Sequence, residues 1–191
     1  MSTAKDKDAS PDQDATHTDA VETSELEAIE AEAVLSEAKN ITKNHVIAAM
    51  AVGLVPIPVF DLVALLAIEL KMLHSLADHY EVPFSQHLGK SLIVSLVGGV
   101  LPASITFTAS SMLKWIPGVG SLAGGASVAI LSGAVTYAVG KVFIQHFESG
   151  GNLLDFNPEH MRELFRQELE EGKEAARDLK DKAESAVNQG Q

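Results

Sequence analysis

No cysteine occurs in this 191-residue chain, which excludes a disulfide framework, a thiolate zinc site, an iron–sulfur cluster and a cysteine nucleophile. Cations are also scarce, with 14 Lys and Arg against 26 Asp and Glu and a net charge of −12. So few scattered cations cannot form the basic stripe that neutralises phosphates, so nucleic acid is not an expected partner. No apolar block follows the charged start, so the opening residues do not have the form of a signal peptide. No serine sits in a nucleophile elbow, and no catalytic residue is assigned. The length suits one ordinary domain with tails.

The charge that is present divides the chain into three. Residues 1–40 carry a net −8, residues 41–147 a net +1 and residues 148–191 a net −5. A middle section so poor in charge suits either a deeply buried helical core or lipid. Residues 1–23 have almost no apolar side chains and are expected to form a disordered acidic tail. From Ser24 the pattern becomes helical, with Ser24 and Glu27 spaced as a capping box. The expected organisation is a disordered tail over 1–23, a helical apolar domain over 24–156 and an amphipathic charged helix over 157–191. Within the domain, helices are expected at about 25–55 and 59–80, separated by Pro56 and Pro58, which donate no amide hydrogen and push their predecessors out of the α region. Asn157–Pro158 supplies an N-cap and a first-turn proline for the last helix.

Two long uncharged stretches follow, residues 91–113 and 115–140, each longer than the roughly 20 residues needed to cross a bilayer as helix. They predict a helical hairpin over about 90–113 and 119–147, with Pro102 kinking its first arm. The second arm is rich in small residues. Ser121, Gly125, Ala129 and Gly133 form one row at spacing four, Ser132, Thr136 and Gly140 form another, and Gly120 with Gly124 adds a GxxxG pair. Such rows let helix backbones approach closely, in membranes and in tight soluble bundles alike.

Other motifs carry less. Gly89-Lys90-Ser91 resembles the end of a phosphate-binding loop, but the first glycine would have to stand at Phe84 and no buried strand precedes it. His74, His79, His87 and Asp78 do not converge as helical metal ligands, because His74 and His79 are five residues apart. No metal and no cofactor are expected. Asp61 and Glu69 are the acids in the apolar run from Val46 to Leu70. Asp61 complements the dipole of a helix beginning near Pro58. Glu69 falls among Leu62, Leu65, Leu66 and Leu73, so it is either paired or functional, with Lys114 or Lys141 as candidate partner across the bundle.

Three segments, PIPVFDLVALLAIELKMLHSLADHY, LKWIPGVGSLAGG and TYAVGKVFIQHFESGG, occur in an order and spacing that resembles the YcjF-like domain of unknown function. This bacterial family is also found fused behind Ras-like GTPase domains. The resemblance covers about residues 45–157 and implies a helical, membrane-associated module linked to GTPase or envelope-stress systems. It supplies no catalytic residues, and because this chain holds no GTPase domain, a GTPase would act as a separate partner. The expectation is an all-α bundle built on the small-residue hairpin and working as a non-enzymatic membrane-associated adaptor, in contact with lipid and capable of self-association. The lysines flanking the hairpin favour the bacterial cytoplasmic membrane with cytoplasmic termini. The alternative is a cytoplasmic, soluble all-α interaction domain that buries the same hairpin and opens to lipid.

Overall fold

The computed structural model describes the backbone of residues 13–54, 60–101 and 120–189, and the side chains of 24–54, 63–101, 127–186 and 188–189. It is all-α, with helices α1 (Gln13–Gly53), α2 (Phe60–His79), α3 (Gln86–Gly98), α4 (Gly120–Glu148) and α5 (Pro158–Gln189), and no strand among the described residues. The chain divides into two units, Met1–Ser36 and Glu37–Gln191.

In the first unit the described backbone is one helix, and the side chains from Ser24 to Val34 are all exposed. The helix begins at Gln13, within the stretch expected to be disordered, and Ser24 lies inside it rather than capping it. The physical reason is the absence of a breaker. No glycine or proline occurs from Asp12 to Val52, so a helix nucleated in the Ala- and Glu-rich segment propagates back past Ser24 at little cost per residue.

The second unit is built around α4. From Gly133 to Phe147 this helix is buried at nearly every position, the pattern of a helix surrounded by others. Residues Ser127–Glu148 are long and apolar enough to cross a membrane, with a mean hydropathy of 1.6, yet 61% of that window is buried inside the protein. The other four described helices supply the cover. From α1 it is Ala38, Thr42, Val46 and Met50, from α2 Glu69, Met72, Leu73 and Leu76, from α3 Leu92, Ile93 and Leu96, and from α5 Phe165, Leu169 and Ala176. Each set recurs every three or four residues, so each is one face of its helix.

Helix α1 lies antiparallel to α4. Gly140 faces Thr42, Gly133 faces Met50, and Gly53 faces Ala129 so closely that a Cβ on Gly53 would stand 2.8 Å from the Ala129 Cα. On its other side α4 meets Gly172 of α5, where a Cβ would lie 2.7 Å from the Ala134 carbonyl oxygen. Only a residue without a side chain permits that approach.

The first arm of the expected hairpin is not one continuous helix. Helix α3 starts at Gln86 and stops at Gly98, with Gly99 as its cap, its N–H donating to the Ser95 carbonyl at 3.1 Å while the Val97 carbonyl accepts from Leu101 N–H at 2.9 Å. Two consecutive glycines and Pro102 shortly beyond account for the stop, since glycine weakens the helix and proline excludes its predecessor from the α region. At 13 residues, α3 is shorter than the roughly 20 residues that span a bilayer. Pro102, residues 102–113 and the turn before Gly120 lie outside the described residues, as do Pro56 and Pro58.

Helices α2 and α4 end alike. Val82 N–H donates to the Ala77 carbonyl at 2.8 Å and Gly151 N–H to the His146 carbonyl at 3.0 Å, each following a residue in the left-handed region, Glu81 (φ 55°) and Gly150 (φ 81°). These are Schellman ends that satisfy carbonyls the helix leaves free. At the start of α5, Asn157 Oδ1 accepts from Glu159 N–H at 3.0 Å and His160 N–H at 3.3 Å, so Asn157 is the N-cap and Pro158 stands where no amide donor is needed.

Candidate functional site

The acid among the leucines is fully inside the protein. Glu69 is 2% exposed, on the face of α2 that also presents Met72, Leu73 and Leu76, while Lys71, His74 and Asp78 point outward. The Thr136 hydroxyl of α4 donates to Glu69 Oε1 at 2.7 Å, and Oε2 has no hydrogen-bond partner among the described residues. Burial pushes the Glu69 carboxyl up to about 8, with the Thr136 hydrogen bond pulling weakly the other way. Desolvation disfavours the charged form, so at neutral pH this group is mostly a neutral acid that accepts one hydrogen bond.

The expected pairing of Glu69 with Lys141 is not made. Lys141 is half-exposed, with Nζ 6.0 Å from the centroid of the Tyr137 ring. Thr136 and Lys141 are five residues apart on α4, roughly 140° around the helix, so when Thr136 faces α2 Lys141 cannot. Lys114 and the side chain of Asp61 lie outside the described residues. Thr136, placed by its sequence in a row of small packing residues, has a second use as the hydroxyl donor to a buried acid. That link was missed because nothing local joins residues 69 and 136. The available signal was that an acid on an apolar face needs an internal donor.

Of the small residues, Ala129, Gly133 and Gly140 are buried, and Ser132 is half-buried. Gly133 meets Met50 of α1 and Ala176 of α5, and Gly140 meets Thr42. For Gly120, Ser121, Gly124 and Gly125 the backbone is helical, and their side-chain surroundings lie outside the described residues. Gly89, Lys90 and Ser91 sit inside α3, so their backbone amides are taken up by the helix rather than offered to a phosphate. His74 Nε2 lies 3.5 Å from Asp78 Oδ2 on the exposed side of α2, and no group of three metal-ligating side chains occurs among the described residues.

A second polar cluster, around the buried His146, escaped the sequence reading. His146 Nε2 stands 2.9 Å from the Asn152 carbonyl oxygen and 3.0 Å from Asp155 Oδ1. Both partners are acceptors, so Nε2 carries the hydrogen. Asn152 N–H donates to Asp155 Oδ1 at 2.8 Å, and this bond, with His146, holds the Asp155 carboxyl below the usual range. Beneath it Phe143 stacks on Phe156 with centroids 4.4 Å apart. The cluster fixes the turn between α4 and α5. Its signal was the Gly150-Gly151-Asn152 run followed by Asp155, because Asn and Asp organise turns through their own backbone neighbours.

The exposed positions described on α1 and α2 are unusual. Between Val46 and Ile68 the described exposed positions are Ile47, Ala48, Ala51, Leu54, Val63 and Ala67. All six are apolar. Ile47 is 48% exposed, Leu54 59% and Val63 66%.

The model of the family described as Domain of unknown function (DUF697) matches residues 17–174. The chain belongs to this family. The YcjF-like resemblance falls in the same DUF697 family, and the match takes in Glu69, Thr136, His146 and the apolar outer surface of α1 and α2. Magnetosome membrane protein 22 of Magnetospirillum gryphiswaldense is 43% identical to this DUF697 chain over 151 residues, covering 78% of this chain and 77% of that protein. No solved structure matches this chain.

Proposed function

We propose that this DUF697 protein is a non-enzymatic, membrane-associated helical adaptor. The observation that carries this reading is that the described exposed positions of residues 46–54 and 63–68 are all Ile, Ala, Leu or Val. A surface turned to water mixes polar side chains among apolar ones, whereas exposed positions that are apolar throughout mark contact with lipid or another protein. The name of the relative, a magnetosome membrane protein, supports lipid as that contact. The association is with one surface of the bundle rather than with all sides of α4, because charged α5 lies along α4.

The charged flanks are offered to the cytoplasm in this reading, and a separate GTPase is the partner class carried by the family resemblance. Export of a reporter fused to the C-terminus would reverse the orientation, and co-purification with the full chain tests the partner. Membranes from cells making the full chain, washed with alkaline carbonate, test the membrane contact itself. Retention in the pellet supports embedding, and release limits the contact to the membrane surface. Recovery in the soluble fraction before any wash favours the second reading, a soluble interaction domain. The burial of α4 inside the bundle supports that second reading.

A further inference from the structure

A groove of about 340 Å³ opens between α1, α4 and α5, at the lower end of the roughly 300–1,000 Å³ typical of small-molecule sites. Val46, Ile144 and Leu179 give it apolar walls, and Lys39, Lys43, Lys141 and Lys182 stand around it with Asp178 as the acidic residue of its lining. The lining holds four cations against one acid in a chain whose net charge is −12, with Glu168 and Glu171 of α5 beyond it beside Lys141 and Tyr137.

Four of the five other cations of α5, all but Arg177, are handled differently. Arg162, Arg166, Lys173 and Lys180 each pair with a glutamate three or four residues away. None of the four groove lysines forms an ion pair among the described residues. Lys141 leans over the Tyr137 ring and feels Glu168 of α5 at longer range. Like charges that outnumber their counter-ions repel one another, and an anion seated among them relieves that repulsion through charge-assisted hydrogen bonds.

We propose that this groove binds the phosphate headgroup of an anionic phospholipid, with the lysines on the phosphate and the first part of the acyl chain against Val46, Ile144 and Leu179. The inference rests on the membrane association proposed above. The apolar walls ask for an anion with an apolar portion attached. Lys39 and Lys43 occupy the turns of α1 immediately before Val46–Leu54, where the exposed positions become apolar. A headgroup bound there stands beside a lipid-facing surface, the usual place for lysines that bury their stems and keep their ammonium groups in the headgroup layer.

Flotation of the full chain with vesicles of phosphatidylcholine alone, and with added phosphatidylglycerol, tests the proposal. Binding to the anionic vesicles is expected to be tighter, and to fall roughly tenfold in the Lys43→Gln/Lys141→Gln variant. An Arg166→Gln/Lys173→Gln control removes the same charge from the paired face and is expected to change binding less than twofold. Circular dichroism checks that both variants stay folded. Equal losses in the two variants, or equal binding of the parent chain to both vesicle types, would overturn the headgroup site while leaving membrane association standing. Inorganic phosphate that competes at millimolar concentration would make the groove a free-phosphate site and overturn the lipid assignment. Failure to float with either vesicle would overturn both the site and the proposed function.

Discussion

The segment from Phe143 to Phe156 and the segment from Val46 to Ile68 are both rich in apolar residues, yet the described residues of the two treat their surroundings in opposite ways. In the first, Phe143, Phe147, Leu153 and Phe156 are buried, and the exposed positions are Gln145, Glu148, Ser149, Gly150, Leu154 and Asp155. Leu154 is the single apolar side chain left open there, and every other large apolar group has been withdrawn from water. In the second, the buried positions Val46, Ala49, Met50 and Gly53 alternate with exposed positions that are equally apolar. Ordinary folding in water explains the first pattern through the free energy of removing apolar area from solvent. It does not explain the second, which implies a different medium or a partner on that side.

The largest expected effect lies at the water-facing end. Phe143 is fully buried and stacked on Phe156, so Phe143→Ala is expected to lower stability by about 3–5 kcal/mol in denaturant unfolding. A loss below 1 kcal/mol would show that this end tolerates a cavity and is not the firmly packed one. Next come the glycines against α4. Gly133→Leu meets the flexible side chain of Met50, whereas Gly172→Leu drives into the backbone of Ala134. Overpacking costs roughly 1–3 kcal/mol where neighbours can move, and more where they cannot. Gly172→Leu should therefore be the more damaging of the two by thermal melting, and the reverse order would misplace α5.

Glu69 sharpens the comparison through pH. Its carboxyl sits at about 8 in the folded protein against an ordinary value of 4.5, so the folded state holds a proton that the unfolded chain releases. The resulting stabilisation is fully present below pH 4.5, declines as pH rises through the interval to about 8, and is gone above it. The slope approaches about 1.4 kcal/mol per pH unit at most. Glu69→Gln keeps an acceptor for Thr136 and is expected to flatten that slope in melts taken from pH 5 to 9. An unchanged slope in the variant would place the titrating group elsewhere. The smallest effect on stability is expected from Ile47→Glu and Val63→Glu, within about 0.5 kcal/mol, because both positions are exposed. The same substitutions should remove the protein from the membrane pellet. Full retention in the pellet would dissolve the contrast between the two segments.

Much of the helical frame was legible in the residues. The breaks near Pro83 and at Gly150-Gly151, and the start at Asn157-Pro158, follow from local rules of backbone geometry and capping, and they fall where the helices end and begin. The face of α2 carrying Glu69 was also legible, since the spacing of Leu66, Glu69 and Leu73 fixes which side chains share a side. The start of α1 was not, because helix propagation past Ser24 depends on the absence of a breaker rather than on any positive signal. Nor was the early stop of α3, where Gly98-Gly99 outweighed the apolar pattern that continues beyond it.

The sequence by itself determined that this protein is helical, acidic at its flanks and nearly uncharged between them, because propensity, capping and charge are properties of neighbouring residues. Only the tertiary structure decided that Glu69 meets the Thr136 hydroxyl instead of a lysine, that Gly172 lets α5 settle against the backbone of α4, and that four lysines from three helices surround one groove. Each of these depends on how far one helix is rotated and shifted against another. That rotation is set by the packing of the whole core, so the spacing along a single helix does not contain it.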